Sequence, residues 1–145
     1  FNALYKEINI DGEKVMLIKP LTYMNLSGEA VRKYVSFYKI HLNDILIIQD
    51  DLDMNLGKIK FVFNSSSGGH NGIKDIEKNL NSKEYLRLKI GISNDKLLDT
   101  KDYVLGKFNK DELEILNNSY YKLRDLLSDF VKLNKNELMC KYNNK

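Results

Sequence analysis

The chain has 145 residues, 43% hydrophobic and 30% charged, with a net charge of +3. That is the balance of one folded domain with its own core, carrying a charge that permits a nucleic-acid partner without requiring one. A single cysteine, Cys140, excludes an internal disulfide framework and fits a reducing, cytoplasmic compartment, while one cysteine and two histidines are too few for a structural zinc site. No apolar run approaches membrane-spanning length, Phe1–Lys6 does not read as a signal peptide, and the abundance of lysine throughout weakens any argument from lysine clusters.

Leu4–Ile10 and Lys14–Lys19 flank Asp11-Gly12, the dipeptide of a tight hairpin turn. The second arm is almost wholly apolar and predicts a well-buried strand that stops at Pro20, the only proline. A polar and aromatic loop, Leu21–Gly28, leads into a helix with Ala30, Val31, Tyr34, Val35 and Tyr38 on one side and Asn25 or Ser27 as its cap. Ile45–Ile48 reads as a central strand covered on both faces. It runs into Gln49-Asp50-Asp51-Leu52-Asp53, where Asp51 and Asp53 are expected to be turn and cap residues. Lys58–Phe63 alternates and predicts a strand with one apolar face. Tyr85–Ser93 alternates again, with Leu86, Leu88, Ile90 and Ile92 inward and Arg87 and Lys89 outward. Asn94–Thr100 reads as a polar loop, and Tyr103–Phe108 as a brief return to order. The last third predicts a long amphipathic helix through Leu113, Leu116, Tyr120, Leu123, Leu127 and Phe130, then a shorter segment. Strands alternating with helices predict an α/β fold, a three-layer α/β/α sandwich around a mixed, mainly parallel sheet.

Ser65–Ile76 is the densest functional signal. Three serines, two adjacent glycines, His70, Asn71 and Gly72 precede an apolar helical spacing through Ile73, Ile76 and Leu80. Glycines let a backbone approach a ligand, and a helix start offers free N–H groups to negative charge. The run lacks the Lys-Ser/Thr ending of a P-loop, and its plainest reading is a helix start capped by Asn71. The two strands Lys14–Lys19 and Ile45–Gln49, separated by a helix of crossover length, are expected to run parallel in one sheet. Their carboxyl ends then share a rim, which carries the Tyr23–Asn25 loop and Asp50, and the His70-Asn71 loop is the candidate to join it. Two carboxamides, Asn25 and Asn71, suit the stabilisation of a developing oxyanion. A carboxylate such as Asp50 beside a histidine strengthens that histidine as a general base. No serine or cysteine sits in a nucleophile-elbow pattern, so direct attack by water is favoured. Asp50, Asp51 and Asp53 lack the spacing of a calcium loop, and no metal or other cofactor is expected. Lys58 with Lys60, and Arg87 with Lys89, share strand faces and form either a phosphate-binding surface or an ordinary solvated one. His41, after a helix end, reads as a surface or C-terminal capping residue.

Taken together, KPLTYMNLSG (Lys19–Gly28), DDLDMNLGKIKF (Asp50–Phe61), SSGGHNGIKDI (Ser66–Ile76), RLKIGIS (Arg87–Ser93) and DYVLGKF (Asp102–Phe108) closely resemble, in order and spacing, the bacterial-type peptidyl-tRNA hydrolase family. The resemblance covers Lys19 to Phe108 and fits the terminal helices loosely. It implies hydrolysis of the ester between a nascent peptide and the ribose of its tRNA by a metal-free monomer that engages the CCA end and acceptor stem. Asn25 and Asn71 would then bind the peptide backbone and reacting centre, with Tyr23, Met24 and His70 lining the cleft. Asp50 would hold the catalytic histidine, and His70 would not itself be the base. Lys89 matches one arm of a clamp for the tRNA 5′-phosphate; the other arm falls on Val62, where a basic residue is usual, with Lys60 and Arg87 as further basic contacts.

Members of that family begin with a strand, a GLGNPG-like turn and a TRHN-like segment carrying the general base, whereas this sequence starts at Phe1 beyond their equivalents. The resemblance therefore casts residues 1–145 as a single-domain C-terminal portion of the fold without its first strand, expected to keep tRNA affinity with impaired esterase activity. Two other classes compete with it. A non-hydrolytic RNA-binding protein on the same scaffold would keep its function without Asn71 or Asp50. A small-molecule hydrolase or phosphorylase would bind its substrate without the steep salt dependence of tRNA binding.

Overall fold

Asp11 (φ 52°) and Gly12 (φ 88°) both take the left-handed backbone of a type I′ hairpin turn, braced by a hydrogen bond from the Gly12 N–H to Asn9 Oδ1 at 3.0 Å. This turn sets the register of strands β1 (Ala3–Ile10) and β2 (Glu13–Pro20), paired antiparallel from Ile10 opposite Glu13 to Ala3 opposite Pro20. The computed structural model describes residues 3–93 and 110–143. Asn94–Thr100 and Tyr103–Phe108, read above as a loop and a short ordered stretch, lie outside the described residues. The described residues within Phe1–Ile47 and Phe63–Leu86 form one compact unit, and those within Ile48–Val62 and Arg87–Lys145 form a second.

The α/β class holds: strands and helices alternate along the chain. In the first unit the hairpin is followed by a 3-10 turn, Met24–Leu26, and by helices α1 (Ser27–Tyr38) and α2 (Asn71–Leu80). Their buried core is Ile73, Ile76 and Tyr85, with Val31, Ile47 and Leu80 packed against it. Tyr34, buried on α1, meets the ring of Tyr5 at 6.0 Å and stacks on Tyr38 at 6.2 Å. Two expectations for β2 fail here. It has no buried residue, and Leu17 is 39% exposed, because the hairpin forms a two-stranded sheet of its own. For the same reason β2 is not laddered to the next strand, and the expected parallel pair does not form among the described residues.

The second sheet has the order β3-β5-β4, built from β3 (Leu46–Asn55), β4 (Ile59–Phe63) and β5 (Leu86–Ser93). The strand expected at Ile45–Ile48 therefore runs on through the acidic stretch. Asp51 and Asp53 are strand residues and not a turn, since the turn comes at Leu56-Gly57. Ile48 is 49% exposed, so the centrally covered strand is β5 and not β3. Strands β3 and β4 are consecutive in the chain yet lie on either side of β5, so their link must pass it. It does so over the end of β5, where the N–H groups of Leu56 and Gly57 donate to the carbonyls of Ser93 and Gly91 at 2.8 and 3.0 Å, and the Gly91 N–H donates to Lys58 O at 2.8 Å.

Strand β5 is central and mostly buried, and Arg87 is only 1% exposed, although Lys89 two positions on keeps partial access to solvent. Arg87 is not the outward-facing residue that the pattern predicts. Burying a guanidinium requires polar partners, and one is Gln49, whose Oε1 accepts from Arg87 Nη1 at 2.7 Å.

Helix α3 (Lys110–Lys132) buries Leu126 completely, in phase with Leu123, Leu127 and Phe130. It hands over to α4 (Lys135–Asn143) through a capping box in which the Glu137 N–H donates to Asn134 Oδ1 (2.9 Å) and the Asn134 N–H to Glu137 Oε1 (3.3 Å). At the far end of α4 the Asn143 carboxamide acts as a neighbouring strand for the edge of β4, accepting from Phe61 N–H and donating to Phe61 O, both at 2.8 Å. Losing both bonds leaves a buried edge unsatisfied, so Asn143→Ala is expected to lower stability by roughly 1–3 kcal/mol in urea denaturation.

The same helix is tied to α3 by Asp129, which accepts from Lys141 Nζ at 2.7 Å and from the Tyr142 hydroxyl at 2.5 Å. The Lys141 bond first, then that of Tyr142, holds the Asp129 carboxyl below its ordinary value. A carboxylate with a depressed folded-state pKa stabilises above its unfolded value, near 3.9, and loses that stabilisation as pH falls through the folded value. Asp129→Asn is thus expected to lower the melting temperature at pH 7 and to match the parent once the pH has fallen below the folded-state value.

Candidate active site

The loop before α1 is shaped by its own backbone. Leu26 N–H donates to Tyr23 O at 2.8 Å, and the Ser27 hydroxyl donates to Met24 O at 2.8 Å, closing the Met24–Leu26 turn. Neither Asn25 nor Ser27 caps the helix: the cap position is Leu26, without a side-chain bond. The buried Gly28 N–H of the first turn is instead met from α2, where Asp75 Oδ2 accepts it at 2.7 Å. This approach requires glycine, because a Cβ at position 28 would lie 2.2 Å from the Asp75 carbonyl oxygen. Asn25 is left exposed, between Met24 and α1, with Tyr23 82% exposed beside them.

The glycine loop enters α2 by a tight turn. Gly68 and Gly69 have φ of 59° and 86°, and the His70 N–H donates back to Ser67 O at 3.0 Å. The cap of α2 is His70 and not Asn71: its Nδ1 accepts from Ile73 N–H at 3.2 Å. Through this bond Nδ1 holds the Ile73 N–H at the start of α2. Asn71, the first residue of α2, is exposed and spared from capping. The Met24–Leu26 turn packs on α2, so closely that a Cβ at Gly72 would lie 2.7 Å from Met24 Sδ and 3.1 Å from His70 Cε1. The first unit thus packs the Met24–Leu26 turn, which carries Asn25, against α2, whose start carries His70 and Asn71.

The other expected site residues belong to the second unit. Asp50 is half-buried on β3, and Lys60 is exposed on β4 with Val62 half-buried two positions on. Arg87, buried as described, is removed from the set of surface tRNA contacts. Lys89 is accessible but not alone: its Nζ lies 2.9 Å from Asp51 Oδ2, with the two side chains 23% and 12% exposed. Asp51 is itself fixed, since its Oδ1 accepts from Asp53 N–H at 2.7 Å. Burial raises its carboxyl pKa, and the Lys89 and Asp53 hydrogen bonds outweigh that to hold it below the ordinary value. Among the described residues no three His, Cys, Asp or Glu side chains are grouped as metal ligands, and no helix is long and apolar enough to cross a membrane.

A family profile described as peptidyl-tRNA hydrolase matches residues 1–145. The chain is 47% identical over 144 residues to a peptidyl-tRNA hydrolase of Exiguobacterium sp., covering 99% of this chain and 78% of that protein. It is 46% identical over 146 residues to one from Mycoplasma mycoides, with the same coverage. The chain belongs to the peptidyl-tRNA hydrolase family. Solved members share its fold: a mutant peptidyl-tRNA hydrolase of Acinetobacter baumannii matches with a TM-score of 0.88 at 32% identity, over 98% of this chain and 72% of the other. A further crystal structure of the Acinetobacter baumannii hydrolase matches with a TM-score of 0.81 at 33% identity, over 98% of this chain and 71% of the other. Among the features that the family motifs left unread is the Asp51–Lys89 pair. It depends on β3 lying beside β5, which no local pattern announces.

Proposed function

We infer that the protein hydrolyses the ester bond of peptidyl-tRNA, releasing the peptide and returning the tRNA. The observation that carries this reading is the joining of the Met24–Leu26 turn to the start of α2, which sets the family's two motif asparagines on packed elements of one unit. Asn71 is the principal stabiliser of the tetrahedral intermediate. Its amide donates to the developing oxyanion, supported by the free N–H groups of the α2 start. Asn25 binds the peptide backbone, and Tyr23, Met24 and His70 line the site. Asp50, assigned from its place in the DDLDMNLG motif, orients the general-base histidine that the family carries on its TRHN-like segment, which residues 1–145 do not contain, and stabilises it once protonated. Water adds to the carbonyl carbon and gives its proton to the base; the bond to the ribose oxygen breaks, and the base returns the proton to that oxygen.

Lys60 and Lys89 contact tRNA phosphates, so binding weakens with added salt. The reading also includes a monomer that grips the CCA end and acceptor stem in the cytoplasm. The exposed free thiol of Cys140 suits that reducing compartment. The test is the incubation of the intact protein, with the TRHN-like segment that carries the general base joined to residues 1–145, with tRNA carrying a labelled N-blocked peptide; residues 1–145 alone are expected to bind the tRNA and release the peptide slowly. Release of the peptide as a free acid is the expected result. Tight, salt-sensitive binding with no release would instead favour the non-hydrolytic RNA-binding alternative.

A further inference from the structure

We propose that Asp75 is a positioning residue for Asn25, holding the turn that carries it in place against α2. The proposal rests on Asn25 being a contact to the peptide backbone, as read above. The Met24–Leu26 turn is braced within itself: Leu26 N–H donates to Tyr23 O and the Ser27 hydroxyl to Met24 O, each at 2.8 Å. It therefore moves as one piece, and its place depends on what holds its ends. Gly28, three residues after Asn25, is buried at the start of α1, and its N–H donates to Asp75 Oδ2 at 2.7 Å. A first-turn N–H has no acceptor within its own helix, so the carboxylate supplies one. Its negative charge also suits the positive end of α1.

Asp75 lies four residues beyond Asn71 in α2, about one turn, so the two share a face of that helix. Three contacts run along the seam. Met24 Sδ stands 2.7 Å from where a Gly72 Cβ would be, Asp75 takes the Gly28 N–H, and Arg32 Nε donates to Asn79 Oδ1 at 3.2 Å. They fall at positions 24, 28 and 32 on one side and at 72, 75 and 79 on the other, the spacing of facing helical turns. Of the three, the middle one joins a short side chain to backbone, so it fixes position more tightly than a flexible thioether or guanidinium. The seam is also close, since a Cβ at Gly28 would lie 2.2 Å from Asp75 O and 2.7 Å from Asn79 Nδ2. Without the carboxylate the buried N–H is left unpaired, and the start of α1 gains by lifting toward water and taking Asn25 with it.

The test is a double-mutant cycle between Asp75 and Asn25, read as steady-state hydrolysis of labelled peptidyl-tRNA by the intact protein, the segment with the general base included. Asp75→Ala is expected to raise KM about three- to tenfold, the scale of one hydrogen bond to the peptide, and to leave kcat within about twofold. In the Asn25→Ala background, which already lacks that contact, the same change is expected to add nothing. A role in folding alone lowers the melting temperature and moves neither constant. Asp75→Asn keeps an acceptor of the same reach and is expected to restore the KM of the parent. Asp75→Glu keeps a carboxylate but lengthens it by one carbon, so it is expected to fold with the turn displaced and to raise KM even where Asp75→Ala does not fold. A folded Asp75→Ala or Asp75→Glu with the KM of the parent overturns the proposal, and so does an equal rise in the Asn25→Ala background. If the parent hydrolyses and Asn25→Ala alone changes nothing, Asn25 is not a peptide contact and the proposal falls with it. If the parent releases no peptide, the functional reading itself falls.

Discussion

Gly91→Ala is expected to be the most damaging single-methyl substitution in the second unit, lowering stability by about 3 kcal/mol. The cause is where the chain crosses itself. The link from β3 to β4 passes β5 at Gly91, and an added Cβ there would lie 2.0 Å from Asn55 O and 2.7 Å from Met54 O. Both are backbone atoms fixed by neighbouring ladder hydrogen bonds, so no side-chain rotation relieves the clash. Either the crossing lifts, breaking the bonds between Gly91, Gly57 and Lys58, or β5 shifts and disturbs buried Arg87 and Leu88. Gly72→Ala provides the contrast. Its tightest neighbour is Met24 Sδ at 2.7 Å, on a flexible side chain that can move aside. Urea titration checks this: the Gly91→Ala midpoint should fall well below that of Gly72→Ala, with a similar slope.

Asn71→Ala is expected to lower kcat/KM for peptidyl-tRNA by about 100- to 1,000-fold, the usual cost of losing one oxyanion donor. Capping of α2 does not depend on this side chain, because His70 provides it. The variant should therefore fold and melt like the parent, and the loss should fall on kcat more than on KM. Had Asn71 been the helix cap, the same substitution would have cost about 1 kcal/mol of stability, so the melting curve separates the two roles.

Local chemistry made much of this molecule readable in advance. Asp11-Gly12 fixed the hairpin, the glycine loop announced α2, and the five ordered motifs pointed to the family that the comparisons establish. What local chemistry could not supply was neighbourhood. Acidic residues usually end strands, yet β3 continues through Asp50, Asp51 and Asp53 because β5 lies beside it. Arg87 alternates with leucines like a surface residue, but at its place on the central strand it is buried, and the guanidinium bonds to Gln49. Asp51 was legible as an acid and not as the partner of Lys89. In the same way, nothing near Asn143 signals that its amide completes the edge of β4. The Asn134–Glu137 capping box is the one feature missed although its spacing stood in the sequence.

The measurement that bears most directly on the central claim is single-turnover hydrolysis of labelled peptidyl-tRNA by the intact protein, run beside its Asn71→Ala variant under identical salt. The expected result is release of free peptide and intact tRNA by the parent, and release at least 100-fold slower by a variant with an unchanged melting curve. Equal release by the two proteins, or none from the parent under conditions where it binds the substrate, would contradict the account.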